Sequence, residues 1–369
     1  MQEQQHQQAA VIAKDPFTSG LTEIAMIPIA EPNEHQIRIK TVAFAANPTD
    51  WIHIAYQQGV AGDLIGSDCS GVVEKVGSKV TGFKVGDIVS TFCHGGYCKE
   101  RGTFTEYVIA DPSVTLRYAS VNDKVLPVGE TQHGHIQTYE GAASVTLALV
   151  TSVLSMAGNL NAQPEDKGKY ILIWGGATAT GVIAIQVAKL GFGLRVVTVA
   201  SPKHSEFLRS IGADLVFDYR DPNVNEKISQ ATNGEIRYVF DIIAEKTTFQ
   251  AAYSAYKTAT GPVKVNSLSM LDEQALTIDT SIPKNFQITI PTFAYSANGD
   301  TVRLFGGVFK ADDETLARYN KFWNEVVPEI LPQIQNTNLK VLKPGFQSVN
   351  EALGSLQSKS VSGEKIVFR

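Results

Sequence analysis

Residues 170–181, Tyr-Ile-Leu-Ile-Trp-Gly-Gly-Ala-Thr-Ala-Thr-Gly, constrain the fold of this chain more than any other segment. Five apolar residues in a row suit a strand buried on both faces, as in a parallel sheet covered by helices. The two glycines make a turn, and 179–190 then carries Ile183, Val187 and Leu190 on one helical face before Gly191. A second strand is expected at 194–200. Ser201 suits an N-cap, with Pro202 at the first helical position and Gly212 closing that helix. Further strands are expected at 215–219, 238–243 and 263–268, the last opened by Gly261-Pro262, with 302–305 as the final one. Strands alternating with helices predict an α/β unit built on a doubly wound parallel sheet.

The flanks read differently. From 11 to 165 short strands dominate: Ile37, Ile39 and Val42 stand among polar neighbours, and 71–76 and 87–91 follow. Gly66, Gly71, Gly77, Gly82 and Gly86 punctuate the stretch, which suggests a small, strongly curved β-rich domain. Beyond 310 come a helix near 315–327 and a strand at 365–368. Roughly 60 residues are too few for a core of their own. The expected layout is therefore a β-rich domain of 11–165 and 308–369, with the parallel-sheet domain, 166–307, inserted.

With 32 basic and 37 acidic residues the net charge is −5 and the pI about 5.8, which disfavours a nucleic-acid partner. Three cysteines argue against a disulfide framework and for a reducing compartment. The longest apolar run, 142–157, is interrupted by Ser144, Thr146, Thr151, Ser152 and Ser155, so no membrane span is expected. Residues 1–10 are Gln-rich without Lys or Arg and read as a frayed start to a cytoplasmic protein.

A strand, a glycine turn and a helix can bring backbone amides and a helix N-terminus to a pyrophosphate. Gly175 and Gly176 open that turn, and Gly176-Ala177-Thr178-Ala179-Thr180-Gly181 reads as G-x-G-x-x-G with Thr178 for the middle glycine. The Thr178 hydroxyl is expected to donate to a phosphate oxygen. The plainer alternative is a strand–helix junction that needs glycine only for packing. The second strand ends Val199-Ala200-Ser201-Pro202-Lys203-His204, without the acid that a ribose 2′-hydroxyl would use. Ser201 and Lys203 offer a hydroxyl and a cation to a 2′-phosphate; the alternative is an ordinary solvated lysine.

At this point the chain resembles the medium-chain dehydrogenase/reductase superfamily, in its zinc-free branch of quinone oxidoreductases and trans-acting enoyl reductases. The resemblance rests on Asn47-Pro48-Thr49-Asp50-Trp51, Gly66-Ser67-Asp68-Cys69-Ser70-Gly71, Val85-Gly86-Asp87, Gly102-Thr103-Phe104-Thr105-Glu106-Tyr107, 174–181, 200–204, Phe217-Asp218-Tyr219 and Ser362-Gly363-Glu364-Lys365. It implies a Rossmann domain inserted in a GroES-like domain. It also implies that Asn47, Thr49, Asp50 and Thr151 lie by the nicotinamide half of the cofactor and Tyr219 by the 2′-phosphate. Leu268, Ser269, Phe305 and Gly306 fall near the ends of the last strands, and Ser362 and Gly363 match a C-terminal loop over the cofactor.

Zinc members of the family carry Cys and Gly-His-Glu where this chain has Asn47 and Gly66-Ser67-Asp68, and three cysteines cannot supply a four-thiolate site. No metal is expected; the rival sets, Cys93-His94 with Cys98 and Cys69, or His133 with His135, are sparse. Related enzymes often carry Lys or Tyr where Ile52 stands, so His53 or Tyr56 supplies the proton, or no donor is needed. The expected function is NADPH-dependent hydride transfer to a conjugated carbonyl or quinone. The alternatives are an aldehyde reductase, or a non-catalytic NADPH-binding redox sensor or scaffold. The expected partner is a small-molecule substrate, for a monomer or homodimer; Pro283 and Pro291 would blunt edge-strand pairing.

Overall fold

The computed structural model describes residues 5–369. Its contacts divide into two units: one runs through Leu147 and adds Asp300–Phe309 and Asn336–Arg369; the other comprises Ala148–Gly299 and Lys310–Gln335.

In the second unit six parallel strands lie in the order Ala213–Phe217, Arg195–Val199, Tyr170–Trp174, Ile236–Asp241, Val263–Ser267, Phe286–Ile288. Chain order across the sheet is thus 3-2-1-4-5-6, that of the Rossmann fold. The strand Tyr170–Trp174 is buried throughout, which explains its unbroken apolar run. The last strand is Phe286–Ile288 and not 302–305, a correction to the sequence reading. Val302–Leu304 pairs antiparallel with Gly307–Phe309 and belongs to the first unit. Two residues at positive φ, Phe305 at 51° and Gly306 at 78°, join these strands, and such a turn makes a hairpin rather than a crossover.

Residues 310–335 likewise differ from the expected layout, since they pack with the parallel sheet's unit. Asp312 caps the helix Asp313–Glu325 by accepting from the Thr315 amide at 2.7 Å. Arg318 then donates twice to the Gly158 carbonyl, at 3.0 and 2.9 Å, and Phe322 stacks on Phe192 with centroids 4.6 Å apart. An aromatic face and a guanidinium fork therefore hold this helix.

The first unit is built on an eight-stranded sheet. Its path runs Thr115–Tyr118, Ile88–Phe92, Asp68–Val76, Ile37–Ala45, Glu364–Phe368, Asn338–Val341, Gly129–Thr131, with Tyr107–Ala110 also paired to Ile37–Ala45. Phe44, Phe104 and Phe368 bring three rings together, with centroids 5.2–5.9 Å apart. The start is not frayed: His6–Ile12 pairs with Thr22–Pro28 and buries Ala9, Ala10, Val11 and Ile12. Residues 1–4 of that expectation lie outside the described residues.

Tyr139–Asn159 is a 21-residue helical stretch whose most apolar 18-residue window has mean hydropathy 1.6, long and apolar enough to cross a bilayer. Its scattered hydroxyls therefore do not exclude a span, as the sequence reading held. Its most apolar window is 94% buried within the protein, as a core helix would be.

Candidate active site

In the second unit the glycine turn is tight. Gly175 has φ 100°, and a Cβ at Gly176 would lie 2.1 Å from Thr198 Oγ1. A Cβ at Gly181 would lie 2.2 Å from the Gly175 carbonyl oxygen. Bare backbone is therefore required where the helix Ala179–Gln186 leaves the turn, and Ala179 and Thr180 open that helix. The residues fit a dinucleotide: a glycine turn with backbone amides and a helix N-terminus.

Thr178 departs from the expectation. Its hydroxyl donates to the Gly175 carbonyl at 2.8 Å and accepts from the Gly181 amide at 2.9 Å. The hydroxyl proton is thus used inside the protein, and Thr178 is the helix N-cap rather than a phosphate donor.

Val199 pairs with Phe217, and the Ala200 amide donates to the Phe217 carbonyl at 2.9 Å. Residues 201–204 and 218–220 therefore leave adjacent strand ends. Ser201 makes no side-chain cap bond, and Lys203 and Tyr219 are exposed. Arg220, absent from the sequence reading, forks onto Asp218 with two 3.0 Å bonds and lies 5.8 Å from the Tyr219 ring. The signal for it was available: a cation next to Tyr219 at the same strand end. Leu268 and Ser269 follow Val263–Ser267, where the Ser269 hydroxyl donates to the Ala244 carbonyl at 3.0 Å. Thr151 is buried in the helix Thr146–Val153.

The first unit gathers a buried polar cluster. Asn47 caps the helix Pro48–Ala55, and its amide N–H donates to Asp50 Oδ2 at 2.8 Å. Asp50 Oδ1 accepts from the Ser67 hydroxyl at 2.6 Å. The Asn47 side-chain NH2 donates to Asp68 Oδ2 at 2.9 Å, and Lys365 Nζ donates to Asn47 Oδ1 and to Asp68, the latter at 3.3 Å. Asp68 Oδ1 takes the Leu147 amide at 2.8 Å. Burial is the main cause of the raised carboxyls: Asp50 is pushed up to about 7 and Asp68 in the same direction, against the pull of Lys365. Sequence reasoning named Ser67, Asp68 and Lys365 as family landmarks but gave none of them a part in this cluster, because their pairing is made across 17 to 318 residues of chain.

His53 is buried. Its Nδ1 faces the Gly95 carbonyl at 2.9 Å, an atom that only accepts, so the proton sits on Nδ1. Nε2 then accepts from the Thr49 hydroxyl at 3.0 Å. Desolvation lowers the His53 pKa, and it lowers that of neighbouring His94 to about 2, so both rings are neutral. Tyr56 is exposed at the helix end and packs edge-on to Phe305, with centroids 5.9 Å apart. Phe305 and Gly306 thus lie on a hairpin beside Tyr56, and not at the end of the parallel sheet as expected. The Gln58 side chain holds them there by accepting from the Phe305 amide at 2.7 Å. Gly363 has φ 72° and its carbonyl accepts from Thr337; Ser362 beside it is exposed.

The donor set at the positions where zinc members carry ligands does not suit zinc: Asn47 and Ser67 offer neither thiolate nor imidazole. Among the described residues no group of three His, Cys, Asp or Glu side chains is placed to hold a metal ion.

Residues 33–120 match the sequence model of the alcohol dehydrogenase GroES-like domain, and 179–302 that of the zinc-binding dehydrogenase family. The uncharacterized protein YCR102C of Saccharomyces cerevisiae is 34% identical, over 92% of this chain and 95% of its own length. The trans-enoyl reductase ACTTS2 of Alternaria alternata is 30% identical, over 95% of this chain and 96% of its own. The solved quinone oxidoreductase of Coxiella burnetii, 20% identical, superposes with a TM-score of 0.64 over 99% of each chain and shares the fold. The fold and these likenesses define an oxidoreductase of a family that binds a nicotinamide cofactor. The chain belongs to the medium-chain dehydrogenase/reductase superfamily, among whose members the trans-enoyl reductases are its relatives of stated activity.

Proposed function

We propose that this protein uses NADPH to reduce a conjugated carbonyl or a quinone without zinc, as an intracellular reductase. The observation that carries the cofactor choice is the acid-free end of the second Rossmann strand. There Ser201, Lys203 and, at the adjacent strand end, Tyr219 offer hydroxyls and a cation suited to a 2′-phosphate, while Arg220 is held by Asp218. Descriptions of relatives as trans-enoyl reductases support the substrate class.

The bound cofactor supplies the hydride, and the substrate oxygen gains charge that hydrogen-bond donors must meet. The glycine turn from Gly175 to Thr180 would hold the pyrophosphate, with the Ala177, Ala179 and Thr180 amides as its donors, since those of Gly176 and Thr178 donate to the Val199 and Gly175 carbonyls. By the family likeness, Asn47, Thr49 and Asp50 of the first unit and Thr151, Leu268 and Ser269 of the second would serve the nicotinamide end, and Ser362 and Gly363 would lie in the C-terminal loop over the cofactor. His53 Nε2 accepts the hydrogen bond of the Thr49 hydroxyl, so that hydroxyl can meet a further partner only as an acceptor. Nε2 carries no proton, and His53 therefore orients Thr49 rather than donating. Tyr56 is the remaining phenol donor on this helix.

A panel of enone, quinone and aldehyde, followed by NADPH absorbance with and without a chelator, tests the reading. Turnover of enone or quinone that survives chelation is expected. Tight NADPH binding with no turnover would make the protein a binder, and one tightly held zinc per chain would refute the metal-free reading.

A further inference from the structure

The buried ion pair of Lys365 and Asp68 has a geometry that does more than join two strands. Lys365 comes from the strand Glu364–Phe368, Asp68 opens Asp68–Val76, and between them stands Asn47, the cap of the helix that carries Thr49 and His53. The two ends of the Asn47 amide meet opposite charges: Oδ1 takes the ammonium, and Nδ2 gives to the carboxylate at 2.9 Å. Turning the amide over would press NH2 against NH3+ and a carbonyl against a carboxylate. All three side chains are at most 6% exposed, so water does not blunt that preference.

We infer that Lys365 is a positioning residue: its ammonium, with Asp68, fixes the orientation of the Asn47 amide, and through Asn47 the first turn of the helix Pro48–Ala55. The protein's own cation thus holds Asn47 where zinc relatives carry the Cys ligand and Asp68 where they carry the Glu of Gly-His-Glu. The inference rests on the proposed function only in assigning Asn47 to the cofactor's nicotinamide end.

The single variant Lys365→Met leaves Asp68 buried and unpaired, and its thermal midpoint is expected to fall by roughly 10 °C. The double variant Lys365→Met with Asp68→Asn removes both charges and is expected to recover most of that midpoint. Asn at 68 keeps an oxygen for the Leu147 amide and turns its NH2 toward Asn47, so the Asn47 amide is no longer held as in the wild type. For the double variant we expect kcat about 10- to 100-fold below wild type with the substrate KM little changed, and NADPH affinity several-fold weaker. A double variant with wild-type stability, kcat and NADPH affinity would overturn the inference and leave the pair a stability element alone. If the wild type reduces nothing in the panel, the reductase reading fails separately, and NADPH affinity of the double variant decides: weakened supports positioning, unchanged overturns it.

Discussion

Asp50→Asn isolates one buried proton. Burial is the main force that raises the Asp50 carboxyl from 3.8 to about 7; the Ser67 hydroxyl, the Asn47 amide and Lys365 oppose it, and Asp68 adds to it. Between those pH values the folded protein holds a proton that the unfolded chain has released. The Asp50 contribution to stability is therefore full below pH 3.8 and is lost as pH rises through 7. At 1.36 kcal/mol per pH unit the whole window is worth about 4 kcal/mol, and the interval from pH 5 to pH 8 about 2.5 kcal/mol. Asparagine does not titrate, and its altered hydrogen bonds cost the same at either pH. His53, His94 and Asp68 titrate in both proteins and largely cancel. Urea unfolding of wild type and variant at pH 5 and pH 8 should show the variant gaining about 2.5 kcal/mol on the wild type across the interval. A gap that stays constant with pH would refute the argument, because Asp50 would then carry no proton through that range.

Three further outcomes follow from the second unit. Thr178→Val should cost about 1 kcal/mol of stability through the lost N-cap while NADPH affinity stays within about twofold; a Kd weakened tenfold would restore the phosphate contact. Gly181→Ala places a methyl 2.2 Å from the Gly175 carbonyl and 2.7 Å from Gly176 Cα. It should destabilise by about 1–3 kcal/mol and weaken dinucleotide binding at least tenfold by calorimetry, whereas a neutral variant would mean that the turn gives way. NADPH should bind more tightly than NADH by about 2–3 kcal/mol, or roughly 30- to 150-fold, and Lys203→Ala should remove much of that gap while sparing NADH. Equal losses for both cofactors would make Lys203 an ordinary surface residue.

The Rossmann sheet was legible because strands buried on both faces write themselves as apolar runs; Tyr170–Trp174 and Val263–Ser267 fall within two residues of where the pattern put them. The last strand was not, since Phe286–Ile288 has three residues and sits between Pro283 and Pro291. Val302–Leu304 imitated it until the turn at Phe305-Gly306 is considered. Thr178 was misassigned because the glycine template was applied to a position where the capping rule is the stronger guide. The polar cluster of the first unit stayed hidden for a different reason. Asp68 and Lys365 have ordinary local sequence, and only tertiary pairing makes one the counter-ion of the other.

The strand Glu364–Phe368 lies inside the first unit's sheet, not at its rim, and Lys365 meets Asn47 across 318 residues of chain. During synthesis at about 5–20 residues per second, the Phe44–Ala45 end of its neighbour waits roughly 15 to 60 s for that strand. All of the Rossmann unit is made in the interval and is free to fold first, while the earlier strands keep an open edge. Birth order and sheet order therefore oppose each other in this chain. The nascent protein is most exposed to wrong strand pairing late in synthesis, when most of its residues have already been made.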